Sequence, residues 1–472
     1  MKNRLRYLSV SLTLFALAAA LPAAPLAAGP LLFDREEYAA RRARLMDKIA
    51  DGAAVFLGAV TPATDRAFRQ GHDFGYFTGV EVPDAHLVID GLRKQTILFF
   101  TISEKEAEGE GLPMELVRDP QGTTGVDRVL PADQFGTFLA NLAQRTPVIY
   151  TMFKPEELGP ENSNEKFNAL QRTMTANPWD GRLTRELQFV RTLRDRLPQV
   201  EVRDCSPLVW DLRKVKTPAE LDVLRRAGRV GVEAHNEVIR STRPGVPEKS
   251  LEAVFQFVCR LRGAIDMAYP PILMSGKNHA FGHYHKYDRT LEAGDFVILD
   301  AGPAVDDYHV DISTTFPVSG KFTPRQKELY EAALAVRDIC LATYRPGLTF
   351  RQAGAAIEDM LKAKKLEKYA EDFRGVIRYG GYNHMIGLAT HDVTGTFAGP
   401  DEVLVPGMVF ACDIQLFRLE EEIGIRIEDT VAVTGTGCEN LSPSVPRTVA
   451  EIEALMKKDG LLQLYDGARP TR

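Results

Sequence analysis

The chain has 472 residues, of which 44% are hydrophobic and 26% charged, and carries a formal net charge of −6. That length exceeds one ordinary hydrophobic core, so two or more domains are expected. The composition is that of a globular protein, and the acidic balance, with no long basic run beyond the N-terminus, argues against a nucleic-acid binder.

The first residues read as a targeting segment. Lys2, Arg4 and Arg6 form a basic start, and Leu8 to Leu21 is an apolar stretch too short to span a bilayer comfortably. Small residues follow at Ala23-Ala24 and Ala27-Ala28-Gly29, where a signal peptidase could cut. The expectation is a signal peptide over 1–28 and a periplasmic or secreted mature protein with no membrane attachment. An uncleaved anchor is the alternative. Export permits disulfides, but the five cysteines are odd in number, widely spaced and form no C-x-x-C. They read as buried free thiols.

Asp34-Arg35-Glu36-Glu37 has a capping-box pattern and opens a helix through Tyr38, Leu45 and Ile49. Strands are predicted at 54–57, 87–89, 96–101 and 148–151, with helices at about 131–144, 164–174 and 181–194. This alternation predicts an N-terminal α/β domain over 29–204. The acidic stretch Ser103–Gly111 reads as a solvated loop. The aromatic-rich stretch from Arg69 to Gly79 reads as core packing.

A second style begins at 205. Thr217-Pro218-Ala219-Glu220 starts a helix that Arg243-Pro244-Gly245 breaks, and a second helix follows from Pro247 to about Gly263. The arrangement recurs: Thr323-Pro324-Arg325-Gln326 starts a helix, Arg345-Pro346-Gly347 breaks it, and Phe350 to about Lys364 is the next. The strands repeat too. Leu291-x-x-Gly294 leads to Asp300, and Leu404-x-x-Gly407 leads to Asp413, each acid nine residues after its leucine. Residues 205–472 are therefore read as a second domain, with two related α+β halves that carry Asp300 and Asp413 to mirrored places around one cleft.

Asp300 ends the apolar run Phe296-Val297-Ile298-Leu299, where a carboxylate is costly unless paired or bound to a metal. Asp311 falls in a second strand-like run, Tyr308 to Phe316, so two adjacent strands would bring the acids face to face. Like charges that close need a cation between them, or one takes a proton. Six of the nine histidines lie between 279 and 391, among them His384 and His391. In GIRIEDT, alternation puts Arg426, Glu428 and Thr430 on one face; an exposed Arg–Glu pair is the plain alternative. Asp300, Asp311, His384, Asp413 and Glu428 together are four carboxylates and one imidazole, a set that suits divalent ions such as Mn²⁺, with Zn²⁺ and Co²⁺ also accommodated. Four carboxylates suffice to bridge two ions, which could share a water, acidify it and present hydroxide to a carbonyl.

The motifs LDAGPAVDDYHVDISTTFPVSGKFT, NHMIGLATHD, VPGMVFACD and GIRIEDT resemble those of the pita-bread metallopeptidases: aminopeptidase P, prolidase and, more distantly, methionine aminopeptidase. RQGHDFGYFTGVEVPDAHLVI resembles the aminopeptidase P N-terminal domain and favours that branch. The resemblance implies a pseudo-twofold pita-bread catalytic domain and release of an N-terminal residue that precedes proline. It implies that Asp300 chelates one ion, Asp311 and Glu428 bridge two, and His384 and Asp413 hold the other. It gives His283 a place in the substrate pocket, His391 a contact near the scissile bond, and Arg426 the task of fixing a carboxylate ligand. Peptides with proline in second position are the implied partners, and a homodimer or homotetramer the implied assembly.

Two departures stand out. The family usually has Glu where this chain has Asp413, one methylene shorter, and that Glu is also a proposed proton carrier. Gly380 stands where relatives often have a histidine. Prolidase-type dipeptidase activity, a relaxed peptidase, a metal-poor binding protein on the same scaffold and a creatinase-like metal-free amidinohydrolase are the competing readings.

Overall fold

The computed structural model describes residues 30–61, 68–154, 172–381, 383–393 and 399–467. The expected signal segment and most of the expected helix at 164–174 lie outside the described residues. Among the described residues, no helix is long and apolar enough to cross a membrane.

Alternating apolar runs in the N-terminal part build six strands: β1 (Ala53–Leu57), β2 (His86–Asp90), β3 (Gln95–Phe99), β4 (Arg128–Leu130), β5 (Val148–Thr151) and β6 (Glu201–Asp204). They form one mixed sheet in the order β4-β3-β2-β1-β5-β6. The sequence reading passed over β4 and β6. Both are edge strands of three or four residues, too short and polar for a periodicity to register.

Helix α1 (Arg35–Lys48) buries Leu45 and Tyr38, and also Arg41 and Arg42. Those guanidiniums donate to the carbonyls of Tyr76, Phe77 and Thr124, which offsets their desolvation. The capping box expected at Asp34 does not form, since its side chain accepts no cap bond. One forms where a loop was expected: Ser103 caps a helix over Glu104–Gly109, with Glu106 closing the box. The acidity that suggested a solvated loop is what the first turn of a helix favours. The aromatic stretch becomes α2 (His72–Thr78), which buries Asp73, Phe74, Tyr76 and Phe77.

Helix α3 (Ser206–Lys214) leads into the second domain. There α4 (Pro218–Ser241) and α6 (Pro324–Thr343) each begin on a complete capping box, from Thr217 with Glu220 and from Thr323 with Gln326. They are followed by α5 (Glu248–Leu261) and α7 (Phe350–Ala363). The sequence repeat becomes a repeated clasp. Gly245 N donates to Leu291 O at 2.9 Å in one half, and Gly347 N to Leu404 O at 2.9 Å in the other. The return bonds match as well, Leu291 N to Val246 O at 2.9 Å and Leu404 N to Leu348 O at 2.8 Å.

The remaining strands are β7 (Asp266–Met267), β8 (Ile272–Ser275), β9 (Phe296–Asp300), β10 (Pro303–Val305), β11 (Tyr308–His309), β12 (Ser313–Pro317), β13 (Val409–Arg418), β14 (Ile423–Val433) and β15 (Cys438–Asn440). The main sheet runs β13-β14-β12-β9-β8, with β15 beside β14. The run Tyr308–Phe316, expected as one strand, is two. Asp306 and Asp307, at φ 49° and 61°, make a left-handed turn into β11, which pairs with β10 in a separate small sheet. The chain then crosses to the main sheet, where β12 pairs with β9. Asp311 sits in the crossing, between strands.

Candidate metal centre

One rung of the main sheet organises the site. Asp413 on β13 pairs with Glu428 on β14, Glu428 with Ser313 on β12, and Ser313 with Asp300 on β9. Directly paired residues share a face, so three acids and a serine converge from four strands. Ser313 Oγ donates to Glu428 Oε2 at 2.7 Å. From behind, the buried Arg447 donates to the carbonyls of Ser313 and Glu428, each at 2.6 Å, and fixes the rung's backbone. Cys412, one residue from Asp413, takes the opposite face of β13, with its Sγ 3.8 Å from Tyr344 Oη.

Asp311 is not opposite Asp300 in a ladder; Ser313 is. Its backbone is held instead by Thr430, whose hydroxyl accepts from Asp311 N and donates to Asp311 O, both at 2.8 Å. The two acids are joined by Tyr269, whose hydroxyl lies 2.5 Å from an oxygen of each. A hydroxyl has one proton to donate, so it serves the two carboxyls by turns or shares that proton between them. Burial, and then Asp311, push the Tyr269 phenol well above its ordinary range.

Asp311, His384 and Glu428 are buried and offer ligand atoms within 4.8 Å of one another. His384 Nε2 is 3.4 Å from Asp311 and 3.8 Å from Glu428. Burial pulls the imidazolium down, but those two carboxylates outweigh it and hold it up to about 10. Both ring nitrogens of His384 and Oε1 of Glu428 are buried without a hydrogen-bond partner, and once the imidazolium gives up a proton to a cation the ring offers a lone pair beside that oxygen. Asp300 and Asp413 turn instead to Arg426. Its guanidinium donates to Asp300 Oδ2, to Asp413 Oδ1 at 3.1 Å, and contacts Glu428 Oε2 at 3.2 Å. Asp413 Oδ2 also accepts from Gln415 Nε2 at 2.5 Å.

The acids titrate apart. Burial raises Glu428, but Arg426 and then His384 hold its carboxyl down to about 2. Burial, followed by Glu428, pushes Asp311 up and Asp413 well above the carboxylate range. Too much negative charge is confined for every acid to ionise on one arginine and one imidazolium. A divalent cation is the natural replacement for those protons, so the donor set fits divalent metal ions.

A cleft of about 200 Å³ opens against this rung. His283, His391, Asp300, Asp311 and Arg426 all line it, together with Tyr269, His285 and Thr390. His391 also lies against His384, ring centroids 4.1 Å apart. The structure thus brings together every site residue the sequence singled out, His384, Asp413 and Glu428 being buried beyond the cleft lining. Sequence reasoning missed Tyr269, Thr390, Ser313 and Gln415. Two-residue alternation from Asp311 and Asp413 could have found Ser313 and Gln415; nothing near Tyr269 marks it.

Residues 222–435 match the family described as Metallopeptidase family M24, and residues 38–150 match Aminopeptidase P, N-terminal domain. The chain is 31% identical to Xaa-Pro aminopeptidase of Escherichia coli (strain K12) over 451 residues, 89% of this chain and 98% of that one. Its fold is similar to that of Pseudomonas aeruginosa aminopeptidase PepP, with TM-score 0.71 and 28% identity over 90% of this chain and 98% of that one. It is similar as well to Escherichia coli aminopeptidase P with the inhibitor Pro-Leu, with TM-score 0.70 and 28% identity over the same shares, 90% and 98%.

Proposed function

We propose that this chain, which belongs to the aminopeptidase P group of metallopeptidase family M24, is an exported Xaa-Pro aminopeptidase that uses two divalent ions, Mn²⁺ before Zn²⁺ or Co²⁺. The observation that carries the reading is the buried Asp311–His384–Glu428 set, with Asp300 and Asp413 on the same rung and a histidine-lined cleft in front. Asp311 and Glu428 would bridge the ions, Asp300 would hold one, and His384 with Asp413 the other. When bound, the ions supply an acidified water and a Lewis acid for the scissile carbonyl.

The chain's own groups do the rest. Arg426 orients Asp300 and Asp413 through its two-sided guanidinium. His283 and His391, on the cleft wall, offer ring N–H donors to the peptide carbonyl and its developing negative charge. Pro270 and Ile272 give the same cleft an apolar side suited to a proline ring. Asp413, held on the rung by Gln415 and Arg426, would be the carboxylate placed to move a proton between the attacking water and the departing prolyl nitrogen.

The basic and apolar residues before position 29 support export. A homodimer or homotetramer, implied by the resemblance of the motifs, is the working assembly of this proposal. The test is a metal-supplemented assay on Xaa-Pro-Yaa, Xaa-Pro and Xaa-Ala-Yaa peptides. Cleavage of the first alone is expected. Preference for Xaa-Pro makes the chain a dipeptidase, equal cleavage of Xaa-Ala-Yaa a relaxed peptidase, and no cleavage of any a binding protein.

A further inference from the structure

We propose that Arg213 is a positioning residue for His391, and that through it the N-terminal domain acts on a cleft that none of its described residues lines. The inference rests on the peptidase reading above. Arg213, on α3, is buried; its Nη1 donates to Asp73 Oδ1 at 2.6 Å and its Nη2 to Asp392 Oδ1 at 2.5 Å. Asp73 belongs to α2 of the N-terminal domain, whereas Asp392 follows His391 directly. Lys216 Nζ reaches the other Asp392 oxygen at 3.3 Å.

Asp73, Arg213, Lys216 and Asp392 are at most 5% exposed. Ions so buried cost more to desolvate than apolar side chains filling the same space, so what they contribute is a defined geometry. The surroundings are shaped for it. A Cβ on Gly387 would lie 2.3 Å from Asp392 Oδ2 and 2.8 Å from Lys216 Nζ, so only glycine there leaves room for the pair. Asp392 N also donates to Met385 O at 2.8 Å, closing the loop that starts at His384 and ends at His391. Fixing Asp392 therefore fixes the end of the loop that carries His391 into the cleft, against the ring of His384.

The test compares the metal-loaded full chain with Arg213→Lys, Asp73→Asn, His391→Ala and the double variants that combine each of the first two with His391→Ala. Turnover of an Xaa-Pro-Yaa tripeptide, metal content and Tm are measured on each. Arg213→Lys and Asp73→Asn are expected to lower kcat about 10–100-fold, the range for residues that orient a site's own groups. KM should change far less, with metal content as in the wild type. In the His391→Ala background the same changes should cost less than about twofold more, because the group they position is gone. Losses that multiply fully in that background, or an undiminished kcat in both single variants, overturn the proposal. If Arg213→Lys does not fold, the Asp73→Asn cycle decides alone. A metal-loaded wild type that cleaves none of the peptides defeats the peptidase reading instead. Positioning is then read from the His391 ring signals in a ¹H–¹⁵N spectrum, assigned by their loss in His391→Ala. Asp73→Asn is expected to shift them, and unmoved signals overturn the proposal.

Discussion

Asp300 and Asp413 stand at opposite ends of one rung of the sheet and share one guanidinium, that of Arg426. Each acid ends the apolar run of its own half, nine residues after the leucine that its half's clasp holds. The pair therefore turns a sequence repeat into a charge arrangement: one acid from each half, with Ser313 and Glu428 between them and a single cation across the top.

That arrangement predicts metal content. Purified protein supplied with Mn²⁺ should hold close to two ions per chain by elemental analysis. Dialysis against a chelator should remove activity, and re-addition restore it. A chain that stays metal-free and inactive after incubation with Mn²⁺, Co²⁺ or Zn²⁺ would contradict the enzyme reading.

Asp413→Glu separates a built site from an eroded one. The shorter acid already meets Gln415 Nε2 on one oxygen and Arg426 on the other. An extra methylene must displace one of those partners, a strain of about 1–3 kcal/mol in packed surroundings. Activity is expected to fall about tenfold or more, as that cost implies. A gain in kcat on restoring the family's usual residue would show that the site is not fitted to Asp.

Gly380 stands where the family often has a histidine, and the backbone here favours glycine. It caps the helix Arg374–Tyr379 at φ 70°, and a Cβ there would lie 2.3 Å from Phe350 O. Gly380→His should therefore destabilise the fold by about 2 kcal/mol or more, from left-handed strain plus the overlap. Thermal denaturation measures this; a Tm equal to that of the wild type would refute the packing argument.

His235 predicts one component of acid sensitivity. Its ring is buried between Thr314 Oγ1 and Ala301 O, both at 2.9 Å, and burial pulls its pKa down to about 3. The unfolded chain binds this proton near pH 6.5 and the folded chain only near pH 3. The histidine's stability contribution is thus present above about pH 6.5 and is lost as pH falls toward about 3, at up to about 1.4 kcal/mol per pH unit. Denaturant titrations between pH 6.5 and 4 should give a steeper decline for the wild type than for His235→Gln. Parallel declines would assign the acid sensitivity to other groups.

The halves and their helices were legible because Thr217, Thr323 and the two Arg-Pro-Gly breaks act locally, through caps and turns that a few residues specify. Asp300 and Asp413 were legible because acids at the ends of apolar runs are conspicuous, Glu428 through the alternation of GIRIEDT, and His384 through the clustering of histidines. What escaped depends on distant pairing. Asp311 looks like a strand residue, yet the left-handed turn at Asp306 and Asp307 sends the chain into a different sheet before β12 begins. Tyr269 precedes Asp300 by 31 residues and no local pattern marks it. Arg213 reads as the end of a helix until Asp73 and Asp392 are seen on either side of it.

The clasps at Leu291 and Leu404 close each half upon itself, whereas the two halves' hairpins meet at the seam of β12 and β14. Asp300 and Asp311 come from one side of that seam; His384, Asp413 and Glu428 come from the other. Whatever ion binds this set is a cross-brace as well as a reagent, adding to the strand pairing and the Arg426, Thr430 and Arg447 bonds that already join the two duplicates. Its binding free energy is then part of the stability of the joined domain. Drift that loosens the seam would weaken endurance and chemistry together.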